Sequence, residues 1–247
     1  MTNWRAGLIH LGISVPVVSV AASVMALVWF PPPFFLAAGG SHLILILAGV
    51  DVVIGPVLTL LIYKPGKRTL IFDLTVIGVV QISALLYGAY SIYLARPAYV
   101  VFAVNQFEVV SAADIPAEEQ IKAVLPEFKH SPTGRFRVAA ARLPANVDEQ
   151  QRILFASLVG HDLSHFPQHY VGYESESRTI AERAKPIGVL KLLNPGREGK
   201  IDNWIELNGK TAAVVGFVPV RGVKQDFAAL IDRNTGALLD FGLFNPW

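Results

Sequence analysis

The stretch LAGVDVVIGPVLTLLIYKPGKRTLIFDLTVIGVVQ, residues 47–81, decides the architecture of this 247-residue chain. Two long apolar blocks meet in it at one short basic turn, KPGKR. Working outward, a third block precedes them, and the three run over about residues 8–30, 42–63 and 69–94. At about 1.5 Å per residue each is long enough to cross a hydrocarbon core of about 30 Å. Nothing comparable follows. Residues 1–95 therefore read as a three-helix transmembrane anchor and residues 96–247 as one outer domain, with the termini on opposite sides of the bilayer.

The short flanks give the orientation. Arg5 precedes the first span, and Lys64, Lys67 and Arg68 crowd the turn between the second and third, whereas residues 31–41 carry no Lys or Arg. Positive charge marks the cytoplasmic side, so the N-terminus and the KPGKR turn are assigned there and the outer domain to the periplasm of a bacterial inner membrane. Trp4 and Trp29 bracket the first span, and Tyr87, Tyr90 and Tyr93 gather near the outer end of the third, as interfacial aromatics do. The first block is longer than a signal-peptide core and runs into WFPPPFF, a poor cleavage site despite Ala37-Ala38-Gly39 beyond it, so it reads as an uncleaved anchor.

Composition narrows the function classes. A mean hydropathy of +0.46 with 16% charged residues averages a greasy third with an ordinary soluble remainder. The formal charge of +2 gives no footprint for nucleic acid. With no cysteine, no disulfide holds the outer domain together, and it must fold on its apolar core.

In the outer segment, Tyr99-Val-Val-Phe-Ala-Val104 and Phe107-Glu-Val-Val110 flank Asn105-Gln106 and predict a β-hairpin. The pattern DEQQRILFASL predicts a helix over 148–158, and a second helix is predicted over about 177–193, interrupted near Pro186. Residues 212–220, 226–231 and 237–241 read as strands, the last two joined by the turn 232–236. The expected fold class is an α+β domain with a mainly antiparallel sheet.

Asp51 and Asp73 lie inside spans, where an ionisable group is a functional hypothesis by default. Two carboxylates sharing a proton would suggest an aspartyl peptidase. Counted from the cytoplasmic ends, however, the two differ in depth by about 12 Å at about 1.5 Å per residue. Asp73, in the first turn of its span, complements the helix dipole and has Lys67 and Arg68 within reach. Asp51 must be neutral, find a partner such as Gln81 or Thr59 within the bundle, or face a polar group on another protein's membrane helix. Ala84 and Gly88 form a small-xxx-small face on the third span, so Asp51, Gln81, Ala84 and Gly88 make up the candidate intramembrane partner contact. His161, His165 and His169 resemble a zinc pattern, but Pro167 breaks any helix that would carry all three, and the stretch reads as a polar loop leaving a helix at Gly160. No catalytic residue, metal site or cofactor-binding loop is assigned, and the chain is not expected to be an enzyme.

The start WRAGLIHLGIS, the block LAGVDVVIGPVLTLLIYKPGKRTLIFDL, the stretch YSIYLARPAYVVFAVNQFEVVSAADI and the closing PW resemble the type IV pilin accessory proteins of the TfpX/TfpZ type. The resemblance covers the chain, is strongest over 49–115, and weakens over 116–208, where no functional residue carries over. It implies an inner-membrane, chaperone-like protein without catalysis that keeps a cognate type IV pilin stable before or during pilus assembly. Its partners would be the pilin's membrane helix, the pilin's periplasmic head and the lipid bilayer. Two alternatives from other classes are an intramembrane peptidase acting on pilin-like substrates, which needs both aspartates, and a membrane-anchored sensor, which needs a cytoplasmic output that this chain does not visibly carry.

Overall fold

The computed structural model describes residues 2–247 and divides into two compact units, one formed by residues 1–31 and 39–95 and the other by residues 32–38 and 96–247. The first unit consists of helices α1 (Asn3–Trp29), α2 (Gly40–Ile62) and α3 (Leu70–Leu94), each long and apolar enough to cross a membrane. Thr2 caps α1 by accepting from the Arg5 N–H. Both α1 and α2 widen locally to π geometry, at Met25–Trp29 and Gly49–Ile54. The second widening lies just before Pro56. A proline there has no N–H to give and would crowd the carbonyl four residues back, and one wider turn relieves both problems. α1 buries Ala6, Gly7, Ser14 and Val18 on one stripe, against the far half of α2.

The second unit is built on an eight-stranded sheet whose main order is β4-β3-β1-β2-β6-β7-β8. Its strands are β1 (Pro97–Ala103), β2 (Gln106–Ser111), β3 (Arg137–Ala141), β4 (Tyr170–Gly172), β5 (Lys185–Pro186), β6 (Val215–Arg221), β7 (Phe227–Asp232) and β8 (Leu238–Gly242). The predicted hairpin is β1–β2, and β6–β7–β8 form an antiparallel meander. The sheet as a whole is mixed, which corrects the expectation of a mainly antiparallel one. β3 joins β1 in parallel, and β6 joins β2 in parallel. Parallel neighbours need crossovers, and the segments 112–136 and 142–214 supply them. The hairpin and the meander were each visible locally; how they are joined is a long-range property.

Side chains alternate between the two faces of the sheet. Tyr99, Val101 and Ala103 of β1 enter one core, and Val100 and Phe102 enter the other. Both faces are covered, so the central strands read as continuous apolar runs rather than alternating ones. The helices are α4 (Val147–Ser157), α5 (Ser177–Arg183), α6 (Ile187–Leu193) and α7 (Glu198–Leu207). α5 and α6 fall on either side of Lys185–Pro186, which pair with β6 instead of continuing a helix. α7 is not among the predicted helices, although it buries Ile201, Trp204 and Ile205 at helical spacing.

The connection after α1 belongs to this second unit, a contribution the sequence does not announce. Phe34 packs its ring on Phe136, Phe227 and Phe241, with centroids 4.4, 5.2 and 5.1 Å away. The Ala37 carbonyl accepts from the N–H groups of Lys224 and Gln225, at 3.2 Å each.

Candidate functional site

Asp51 sits on the π-widened turn of α2 and is 6% exposed. From α3, the Gln81 amide reaches across and donates to the Asp51 main-chain carbonyl at 3.5 Å. Gly55 makes that reach possible: a Cβ there would stand 1.9 Å from Gln81 Nε2. Thr59, the other partner considered for Asp51, is engaged elsewhere, 2.6 Å from His10 Nδ1 on α1. Asp51 Oδ2 is buried and accepts no hydrogen bond. Leaving a buried polar atom without a partner costs about 1–3 kcal/mol, so the site is incomplete as it stands.

Asp51 is among the residues lining two cavities. One, of about 190 Å³, is lined by His10, Ser14, Asp51, Gly78 and Gln81. The other, of about 310 Å³, is walled by Leu43, Leu47, Asp51, Ala84, Gly88 and Ser91 and is almost wholly apolar. Of the four residues singled out in the sequence, Asp51 and Gln81 thus share the first cavity, and Asp51, Ala84 and Gly88 share the second. At Gly88 an added Cβ would meet Leu47 Cδ1 at an ordinary 3.5 Å, so Gly88 lies close to α2 on one side of the groove. Such a groove can receive the ridge of another helix, and a shift of the Asp51 side chain would be needed for its buried Oδ2 to accept from a donor on that helix. His10 and Ser14 were not anticipated. Their signal was present, as two polar residues four apart in an apolar block.

Asp73 is in a separate environment. Lys67 Nζ lies 2.5 Å from its Oδ2, and Thr69 Oγ1 lies 3.3 Å from the same atom. Asp73 is thus engaged by Lys67 and Thr69 rather than by Asp51. Arg5, Lys64, Lys67 and Arg68 are all exposed. In the second unit the three histidines diverge: the His161 and His165 rings stack at 5.4 Å, whereas His169 Nε2 turns to Glu149 Oε1 at 3.1 Å. Among the described residues no three His, Asp or Glu side chains are grouped to hold a metal ion.

Architecture and site together define a class: a bundle of three apolar helices with an open polar-floored groove, continuous with a mixed α/β domain. The family model described as fimbrial assembly protein FimB matches residues 1–39. Two proteins of Dichelobacter nodosus, the fimbrial assembly proteins of serogroup I and serogroup E1, are 32% and 31% identical over 230 residues, which is 92% of this chain and 89% of each relative. The fimbrial assembly protein of serogroups C1 and C2 from the same organism is 38% identical over 113 residues, 45% of this chain and 86% of that protein. The chain belongs to the fimbrial assembly protein family. No solved structure matches it.

Proposed function

We propose that this protein is a non-catalytic accessory factor of type IV pilus assembly, of the TfpX/TfpZ type, that holds its cognate pilin in the bacterial inner membrane until the pilin enters the fibre. Family membership supports the role in pilus assembly, because the relatives are themselves named for fimbrial assembly. The observation that carries the holding role is an apolar groove lined by Ala84, Gly88 and Asp51, whose buried carboxylate oxygen has no partner. In a membrane there is no hydrophobic force between helices, so close packing at small residues and an interhelical hydrogen bond are what an incoming pilin helix would gain.

The chain's topology favours the same picture. The connection after the first helix and the segment after the third fold into one unit, as they must if both emerge on the same face of a bilayer. The basic KPGKR turn would then lie on the opposite, cytoplasmic face and the outer domain in the periplasm.

The test is complementation of a deletion strain with Asp51→Leu, followed by immunoblotting of the pilin and of the variant itself. The apolar replacement removes an unsatisfied group, so the variant is expected at normal abundance. Pilin is expected to fall several-fold, with its ratio of processed to unprocessed forms unchanged. Accumulation of unprocessed pilin would point instead to a peptidase, and unchanged pilin would remove Asp51 from the account.

A further inference from the structure

A second cleft, of about 590 Å³, opens in the outer domain between the β1–β2 turn and α4. Its volume falls within the range of sites that bind other molecules. Its floor is charged. Glu108 is 6% exposed and takes hydrogen bonds from Ser164 Oγ, from Gln106 Nε2 at 2.9 Å and from Arg221 Nη1 at 3.3 Å. The same guanidinium atom reaches Asp162 Oδ2, also at 3.3 Å. Two carboxylates thus share one cation, which leaves a residual negative charge. Both contacts are longer than the roughly 2.7–2.9 Å of a tight charge-assisted hydrogen bond, and the Arg221 side chain is 56% exposed. That guanidinium is loosely held and can give way.

The walls are apolar and extend beyond the cleft. Leu143, Val147 and Leu154 line it while remaining mostly exposed. Along and just past the end of α4, Phe155, Leu158 and Val159 continue the exposed apolar surface. A soluble domain seldom leaves so many large apolar side chains together in water without a use for them. At the lip, Val104 has φ 60°, a backbone region that a β-branched residue rarely enters, and the Asn105 N–H returns to the Ala103 carbonyl at 2.7 Å. This strain fixes Val104, 53% exposed, as a rigid apolar edge opposite Leu154.

We propose that this cleft receives an extended segment of the partner protein's soluble head, in which apolar side chains flank one lysine or arginine. The cation pairs with Asp162 and draws on the residual charge over Glu108. The flanking apolar groups cover Leu143, Val147 and Leu154, and Gln151, which also lines the cleft, meets the segment's main chain. A binder of this kind would be recognised by charge and by shape together, with the charge setting the register. The inference rests on the pilin-holding reading and supplies its second contact: two modest sites on one scaffold give avidity while each stays reversible.

The experiment uses the full chain in cells that make the cognate pilin, with a photoreactive amino acid at Leu154, at Ala84 in the bundle groove, or at Leu207, an exposed position on α7 outside the cleft. A pilin adduct is expected at Leu154 and at Ala84 but not at Leu207. The Leu154 adduct is expected to fall about ten-fold with Asp162→Arg. Asp162→Asn, a gentler change, should lower it less, and resistance to trypsin reports that both variants are folded. If Ala84 yields a pilin adduct and Leu154 yields none, or yields an adduct only with a second copy of this chain, the cleft proposal is overturned and the pilin-holding reading stands. If neither position yields a pilin adduct, both are overturned.

Discussion

The helical bundle and the sheet domain are stabilised in opposite ways. In β7 every residue is buried, and the alternating faces of the sheet feed two separate packed cores. In α3, Ile77 and Ile92 are buried while Ile71, Phe72, Val79, Val80, Ile82 and Leu86 are exposed. The sheet domain completes its own interior and so can fold on its own contacts. The bundle leaves many large apolar side chains exposed and one buried carboxylate oxygen without a partner.

The largest difference is expected from truncating matched core residues. Leu230→Ala, at a fully buried position of β7, is expected to cost about 2–5 kcal/mol, whereas Ile77→Ala in α3 should cost well under that, because lipid tails replace the lost contacts. Thermal unfolding of the detergent-solubilised chain, followed by proteolysis of the outer domain, checks this; equal losses would break the contrast. Next comes Asn194, whose side chain donates to the carbonyls of Leu190 and Asn245 at 2.8 and 2.9 Å and accepts from the Asn245 N–H at 2.8 Å. Asn194→Ala is expected to cost about 1–3 kcal/mol and to free the C-terminal segment, as read by faster amide exchange there.

The smallest effect concerns acid. Hydrogen bonds, from Arg152 above all and then from His169 and Gln168, hold the Glu149 carboxyl down to about 2. A carboxyl depressed in the folded state stabilises it above the ordinary value of 4.5, and that contribution is lost as pH falls towards about 2. Wild type should therefore melt slightly above Glu149→Gln at pH 7, and the gap should close as the pH is lowered through this range. The side chain is partly exposed, so the gap is small. A gap that widens in acid would contradict the assignment.

Much of this was legible in the chain itself, for physical reasons. A run of apolar residues long enough for a bilayer needs no partner to be recognised, and the hairpin around Asn105-Gln106 is a local pattern. Asp51 and Gln81 stood out because polar residues are rare in such runs, and Ala84 and Gly88 because of their small-xxx-small spacing. What the sequence hid was non-local. Nothing near Arg137–Ala141, an alanine-rich strand, signals that it will lie parallel to β1. Nothing near Phe34 shows that it will enter a core with Phe227. Thr59 reads as a possible partner for Asp51, and its engagement with His10 instead depends on how α1 lies against α2.

The most direct test of the central claim compares two faces of one helix. Leu86 lies two residues from both Ala84 and Gly88, about 200° around α3, and is 63% exposed. With a photoreactive residue at Ala84 or at Leu86 in the full-length chain, the expected result is a pilin adduct from Ala84 and little or none from Leu86. Equal adducts at both positions, or adducts from Leu86 alone, would contradict a pilin-holding groove at Asp51.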